Sequence, residues 1–97
     1  MPSKEGAISA SLGKPITEAE LANKPRYWMG DPPDRCDLNP SHKIEDTFVD
    51  GATDRGPWAN MCPKCHRAHG RGIGQGQGQR YEKREVEGRT RWLKTAG

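Results

Sequence analysis

The chain has 97 residues, 31% of them apolar, with a net charge of +3 and an isoelectric point near 8.9. That composition limits it to one domain whose core is too small to stand on hydrophobic burial alone, so a disulfide, a metal or a partner is expected as a staple. Three cysteines cannot all pair with one another, and no apolar run is long enough for a signal peptide or a membrane span, which argues against a secreted disulfide scaffold and a membrane protein.

Residues 1–15 mix small and polar types without a lasting period and read as a flexible N-terminal arm. A short helix and an aromatic linker follow over residues 16–35. Thr17 is a good N-cap, Glu20 sits three residues on to close a capping box, and Ile16 and Leu21 occupy the positions of a hydrophobic staple. Pro25 ends the helix, so about two turns are expected from Thr17 to Asn23. Tyr27, Trp28 and Met29 are expected to pack onto the domain that follows.

Residues 36–69 read as a metal-binding hairpin domain. Thr47-Phe48-Val49 and Trp58 to Met61 are strand candidates, with turn chemistry between Asp50 and Pro57. Residues 70–80 place glycine at every second position from Gly70 to Gly78 and read as a loop. Residues 81–97 read as a second hairpin, Tyr81 to Val86 and Thr90 to Thr95 about Glu87-Gly88-Arg89, with Tyr81 and Trp92 as its packing residues. The fold class expected is thus a small zinc-stabilised β-rich domain, zinc-ribbon-like, with two β-hairpins and one short N-terminal α-helix.

The cysteines choose the staple. Cys62-Pro63-Lys64-Cys65 has the spacing at which a tight turn brings two sulfurs onto one ion, and Cys36 is the remaining thiol. A redox motif of this spacing would need a βαβ surround that is absent here. Where a zinc ribbon would put another cysteine, three residues after Cys36, the chain has Asn39. His42 is the preferred fourth ligand of one structural Zn2+, with His69, His66 and the carboxylates of Asp34 and Asp37 left as alternatives.

The run Gly56-Pro57-Trp58-Ala59-Asn60-Met61-Cys62-Pro63-Lys64-Cys65-His66, preceded by Phe48-Val49-Asp50-Gly51 and followed by Gly72 to Tyr81, resembles a group of small tailed-phage proteins. The resemblance covers roughly residues 36–94 and departs from the group's pattern at Asn39. It implies a zinc-ribbon-like domain in the cytoplasm of an infected bacterium, and it carries no activity with it.

Charge distribution suggests the partner. Residues 64–97 hold nine of the sixteen Lys and Arg and three of the thirteen acidic residues. A binding module is expected in which Arg67, Arg71, Arg80, Lys83, Arg84, Arg89, Arg91 and Lys94 neutralise phosphates of DNA or RNA and Trp92 or Tyr81 stacks on bases. The alternative partner is a bacterial host enzyme, bound through the Tyr27-Trp28-Met29 patch; no membrane or small-molecule substrate is expected. Asn60 ahead of the cysteine pair, with His42 upstream, is similar to fragments of an HNH nuclease, but a His42 that ligates structural zinc cannot also activate water. The Gly-rich run precedes no helix, which argues against a nucleotide-binding loop.

Overall fold

The computed structural model describes residues 12–97, so most of the expected arm lies outside the described residues. Its last positions are not loose. Lys14–Pro15 form strand β1, which runs parallel to Arg84 and Glu85, and the Ile16 amide donates to Glu85 O at 3.0 Å.

Helix α1 spans Glu18–Ala22 and starts as its local sequence demands. The Thr17 hydroxyl accepts from the Glu20 amide, and the Glu20 carboxylate accepts from the Thr17 amide, both at 3.1 Å. Strands β2 (Thr47–Ala52), β3 (Trp58–Met61), β4 (Gly78–Val86) and β5 (Arg89–Ala96) complete a mixed sheet, and a second helix, α2 (Pro63–His69), lies between β3 and β4. Along the sheet β3 pairs with β2, β2 with β4 and β4 with β5, all antiparallel, and β1 extends the β2 side of β4.

The two expected hairpins are therefore one sheet. β2 and β4 zip from Thr47↔Glu82 to Gly51↔Gly78, so the Gly-rich stretch turns back at Gly74 and already belongs to β4 by Gly78. The approach is close enough to require glycine. A Cβ on Gly51 would lie 2.9 Å from the Gly78 Cα, and one on Gly78 would lie 2.8 Å from Gly72 O. At the other end, β4 and β5 are joined by Glu87 and Gly88, both with positive φ (52° and 78°), the two-residue turn that matches strand twist.

Helix α2 departs from the sequence-based expectation of a bare turn. Cys62 is its N-cap, the sulfur accepting from the Cys65 amide at 3.4 Å, and Pro63 takes the first helical position. Thiols are poor caps in general statistics, so the start was hidden.

Phe48 is fully buried at the centre of an aromatic cluster. It stacks on Tyr81 (centroids 5.3 Å apart, 19° between planes), meets Trp28 edge-on at 5.3 Å and leans on Trp92 at 5.2 Å. Trp28 reaches the cluster because its amide donates to Trp92 O at 2.8 Å and Lys94 N donates to Arg26 O at 2.8 Å. Residues 26–28 thus lie along β5 as a strap. Met29, expected to pack inward, is 83% exposed, because the strap ends at Trp28 and the chain turns away.

Arg84, 7% exposed, reaches back to α1. Its Nε and Nη2 donate to the Glu20 carboxylate at 3.0–3.2 Å, and Glu82 stands 3.6 Å away. The Arg84 hydrogen bonds hold the Glu20 carboxyl below its ordinary value of 4.5, against the opposing effect of burial. A lowered carboxyl contributes stability above the unfolded-state pKa and loses it as pH falls through the folded-state value. Glu20→Gln should cost about 1–3 kcal/mol at neutral pH, read by urea denaturation, because it leaves a buried guanidinium short of its partner. The gap between variant and parent should narrow as pH falls below the carboxyl's ordinary value of 4.5; a gap independent of pH would mean the carboxylate charge contributes nothing.

Candidate metal centre

The site is assembled by three short-range devices and one long-range stitch. Asn39 O accepts from the His42 amide at 2.8 Å, and Asn39 Oδ1 accepts from the Ser41 amide and hydroxyl at 3.1 and 2.6 Å, which closes a tight turn over Pro40. Across that turn the Cys36 amide donates to His42 O at 3.0 Å, setting Cys36 and His42 side by side. The stitch is Asp37, whose amide donates to Asn60 O and whose carboxylate accepts from the Asn60 amide, both at 2.9 Å. Asn60 lies two residues before Cys62, so this bond pair lays the Cys36 loop against the end of β3.

The result is a cluster of three buried, unpaired thiols, Cys36, Cys62 and Cys65, whose sulfurs all lie within 4.8 Å of one another. Beside them His42 Nδ1 stands 3.4 Å from Cys65 Sγ and 3.6 Å from Cys62 Sγ. A tetrahedral ion with metal–sulfur bonds of about 2.3 Å and a metal–nitrogen bond of about 2.0 Å has sulfur–nitrogen edges of about 3.5 Å. The histidine is at donor spacing from those two sulfurs, while the group whose ligand atoms all lie within 4.8 Å of one another consists of the three cysteines. Its other ring nitrogen, Nε2, lies 3.3 Å from the amide nitrogen of Asn39. The residue found where a ribbon would carry cysteine therefore flanks the ring of the histidine.

The other ligand candidates are engaged elsewhere. His66 Nε2 lies 3.0 Å from Gly72 O, tying α2 to the Gly-rich turn, and His69 Nδ1 lies 3.1 Å from Asp54 Oδ2. Asp37 holds Asn60, and Asp34 is exposed, with its carbonyl accepting from the Ile44 amide.

Electrostatics separates the thiols. Burial pushes the Cys36 thiol up, but the backbone amides of Cys62, Asn39 and Leu38 more than offset it and hold the group below its ordinary value. Cys65 is pushed up to about 12, first by burial and then by the neighbouring Cys36 and Cys62. A divalent cation would remove that penalty, since it binds thiolates and cancels their repulsion. The donor set fits such an ion.

The residues predicted to touch a polyanion do not form one surface. Arg84 is buried against Glu20, and Trp92 packs on Phe48, so neither belongs to it. Arg80 is tied to Glu82 at 3.3 Å and to the Thr95 hydroxyl at 3.1 Å. Arg67 and Arg71 are exposed on and just after α2, Lys83 is half-buried on β4, and Arg89, Arg91 and Lys94 lie on β5. Two basic residues outside the predicted set, Lys24 and Arg26, line the same hollows as Arg91 and Lys94. Their proximity depends on the strap pairing with β5, a long-range contact with no local sequence mark.

The fold and site define a small β-rich protein with a mixed sheet and a three-cysteine cluster able to hold a metal ion. Compared with known proteins, the chain matches no family model, no curated protein and no solved structure.

Cobalt titration of chelator-treated protein should give the intense thiolate-to-metal absorption of a sulfur-rich tetrahedral site. Cys36→Ser, Cys62→Ser and Cys65→Ser should each abolish stoichiometric binding, His42→Ala should weaken it at least about tenfold, and Asn39→Ala should do so to a lesser degree. Affinity should fall as pH is lowered, because the thiols must lose their protons to bind. Unchanged affinity in His42→Ala would remove the histidine from the donor set.

Proposed function

We propose that this protein is a binding module without catalytic chemistry of its own, held together by one structural zinc ion and acting on nucleic acid through its basic residues. Zinc is supported by donor chemistry: three soft thiolates within 4.8 Å of one another, with an imidazole beside two of them, suit it better than they suit harder cations. The observation that carries the reading is the position of His42 Nδ1, 3.4 and 3.6 Å from two of the sulfurs. An imidazole that closed onto the ion as fourth donor would leave no coordination position for water or substrate, which is the mark of a structural zinc site. The same placement argues against the nuclease reading, since His42 cannot both ligate and act as base.

Nucleic acid as partner is supported by the excess of cations in residues 64–97 and by Arg67, Arg71, Arg89, Arg91 and Lys94, which enter no ion pair among the described residues. The resemblance to small tailed-phage proteins supports an infected bacterial cell as the setting. A second reading, capture of a host protein, is favoured by the exposure of Met29, since exposed Met and aromatic side chains carry interface energy.

Native mass spectrometry of protein purified from bacteria, with and without chelator, should show one zinc per chain; protein that is folded and zinc-free would overturn the reading. Labelled DNA or RNA should bind with an affinity that falls steeply with salt, with a log–log slope of about −3 to −5 if four to six phosphates are contacted. A stoichiometric bacterial protein on the purified chain, with no nucleic-acid binding, would favour the second reading.

A further inference from the structure

The strap and β5, hydrogen-bonded to each other, wall two hollows of about 430 and 480 Å³ that the basic tail alone does not explain. The two share Pro25, Arg26 and Lys94 as walls and count together as one groove. Lys24 lines the first, and Tyr27, Met29 and Arg91 line the second. Four cations thus face the groove. Its one acidic side chain, Glu20, is already engaged by the Arg84 guanidinium at 3.0–3.2 Å, so it opposes them little.

We propose that this groove is the path of a single-stranded nucleic acid, with Lys24, Arg26 and Lys94 on the phosphates and the Arg91–Tyr27 pair as the platform for a base. This assignment rests on the nucleic-acid reading above and names its surface and the form of its ligand.

Three observations beyond charge point the same way. Lys24 holds a φ of 53°, a left-handed conformation that costs a non-glycine residue about 1 kcal/mol. It follows the C-cap Asn23, where glycine is the favoured residue. A lysine in that place brings a cation to the groove at a cost in backbone energy, as functional positions do. Next, the Arg91 guanidinium carbon lies 3.9 Å from the centroid of the Tyr27 ring. Arginine ordered on an aromatic face offers a planar cation on which any base can stack. Finally, the groove wall is built in advance: Trp28 N to Trp92 O and Lys94 N to Arg26 O hold the strap in register, so little ordering is left to binding.

The single-stranded form follows from the Arg91–Tyr27 platform. A base reaches a stacking platform only when it is free of its partner strand.

The test uses full-length, zinc-loaded protein and a fluorescein-labelled oligothymidylate of about 15 nucleotides, close to the longest stretch such a surface occludes. Anisotropy titrations should show tighter binding to the single strand than to a duplex of the same length. Lys24→Glu combined with Arg26→Glu should weaken binding at least tenfold and make the salt slope shallower by about 1.4, two contacts at about 0.7 each. Arg91→Lys keeps the charge and removes the plane, so affinity should drop about fivefold or more with the slope unchanged. Arg67→Glu combined with Arg71→Glu, at cations that line neither hollow, should weaken binding less than the Lys24 and Arg26 pair does. Zinc content and circular dichroism are read on each variant, and only folded, zinc-replete variants are compared. If the parent binds but the loss follows Arg67 and Arg71 in place of the groove, the groove assignment falls while the nucleic-acid reading stands. Tighter binding to duplex overturns the single-strand assignment. No binding to either form removes both.

Discussion

Three thiols packed within 4.8 Å of one another in a protein interior cannot all lose their protons unless a cation sits among them. The rest of the structure follows from that constraint. The loop from Asp34 to Ile44 has little apolar content, Cys36, Leu38 and Ile44 being its hydrophobic residues. Its hold on the sheet is the Asp37–Asn60 bond pair together with the burial of Cys36 and Ile44 in the core and the packing of Leu38 against it. Helix α2 is likewise seven residues long and buries only Cys65. Each is below the length or burial at which such an element persists by itself. A common ion would turn two marginal elements into parts of one unit, and its binding energy would then be folding energy.

The aromatic cluster does the corresponding job for the other half of the molecule. Phe48 sits on β2, Tyr81 on β4, Trp92 on β5 and Trp28 on the strap, so one ring from each of four segments meets at centroid distances near 5.3 Å. Burial of that order is worth about 2–3 kcal/mol per ring. The metal cluster joins the same core through Met61 and Ile44, both buried and contiguous with Cys36 and Phe48. Sheet and metal loop are therefore one cooperative body, with the Gly51–Gly78 approach as the tight point that fixes the register between its hairpins.

What could be read from the sequence was local, and what could not was contact at a distance. The capping box of Thr17 and Glu20, the strand residues on either side of Glu87-Gly88 and the spacing of the cysteine pair all announce themselves within a few residues. The convergence of Cys36 on that pair was legible because a chain so poor in apolar residues has few other ways to hold together. Helix α2 stayed hidden because its cap is a sulfur. The merging of two hairpins into one sheet stayed hidden because the pairing of β2 with β4 spans a glycine-rich segment that looks like a linker. Positions 14 and 15, read as loose, are held by a two-residue parallel pairing that no pattern of period two could signal.

Counting charges along the sequence gives a different answer from counting charges that are free to act. Arg84 and Arg80 lie inside the basic third, yet both are spent on Glu20, Glu82 and Thr95, and Arg84 is nearly enclosed. Lys24 and Arg26 lie well outside that third, in a part of the sequence where acidic residues outnumber basic ones, yet the strap carries them to the wall of β5 beside Lys94. Glu20 links the two facts. By closing the α1 capping box and neutralising Arg84 at once, it removes an internal cation from the surface and is itself removed as an opposing charge in the groove. The field that a polyanion would meet is thus set by which charges the fold consumes, and the same carboxylate that anchors the helix helps leave the groove positive.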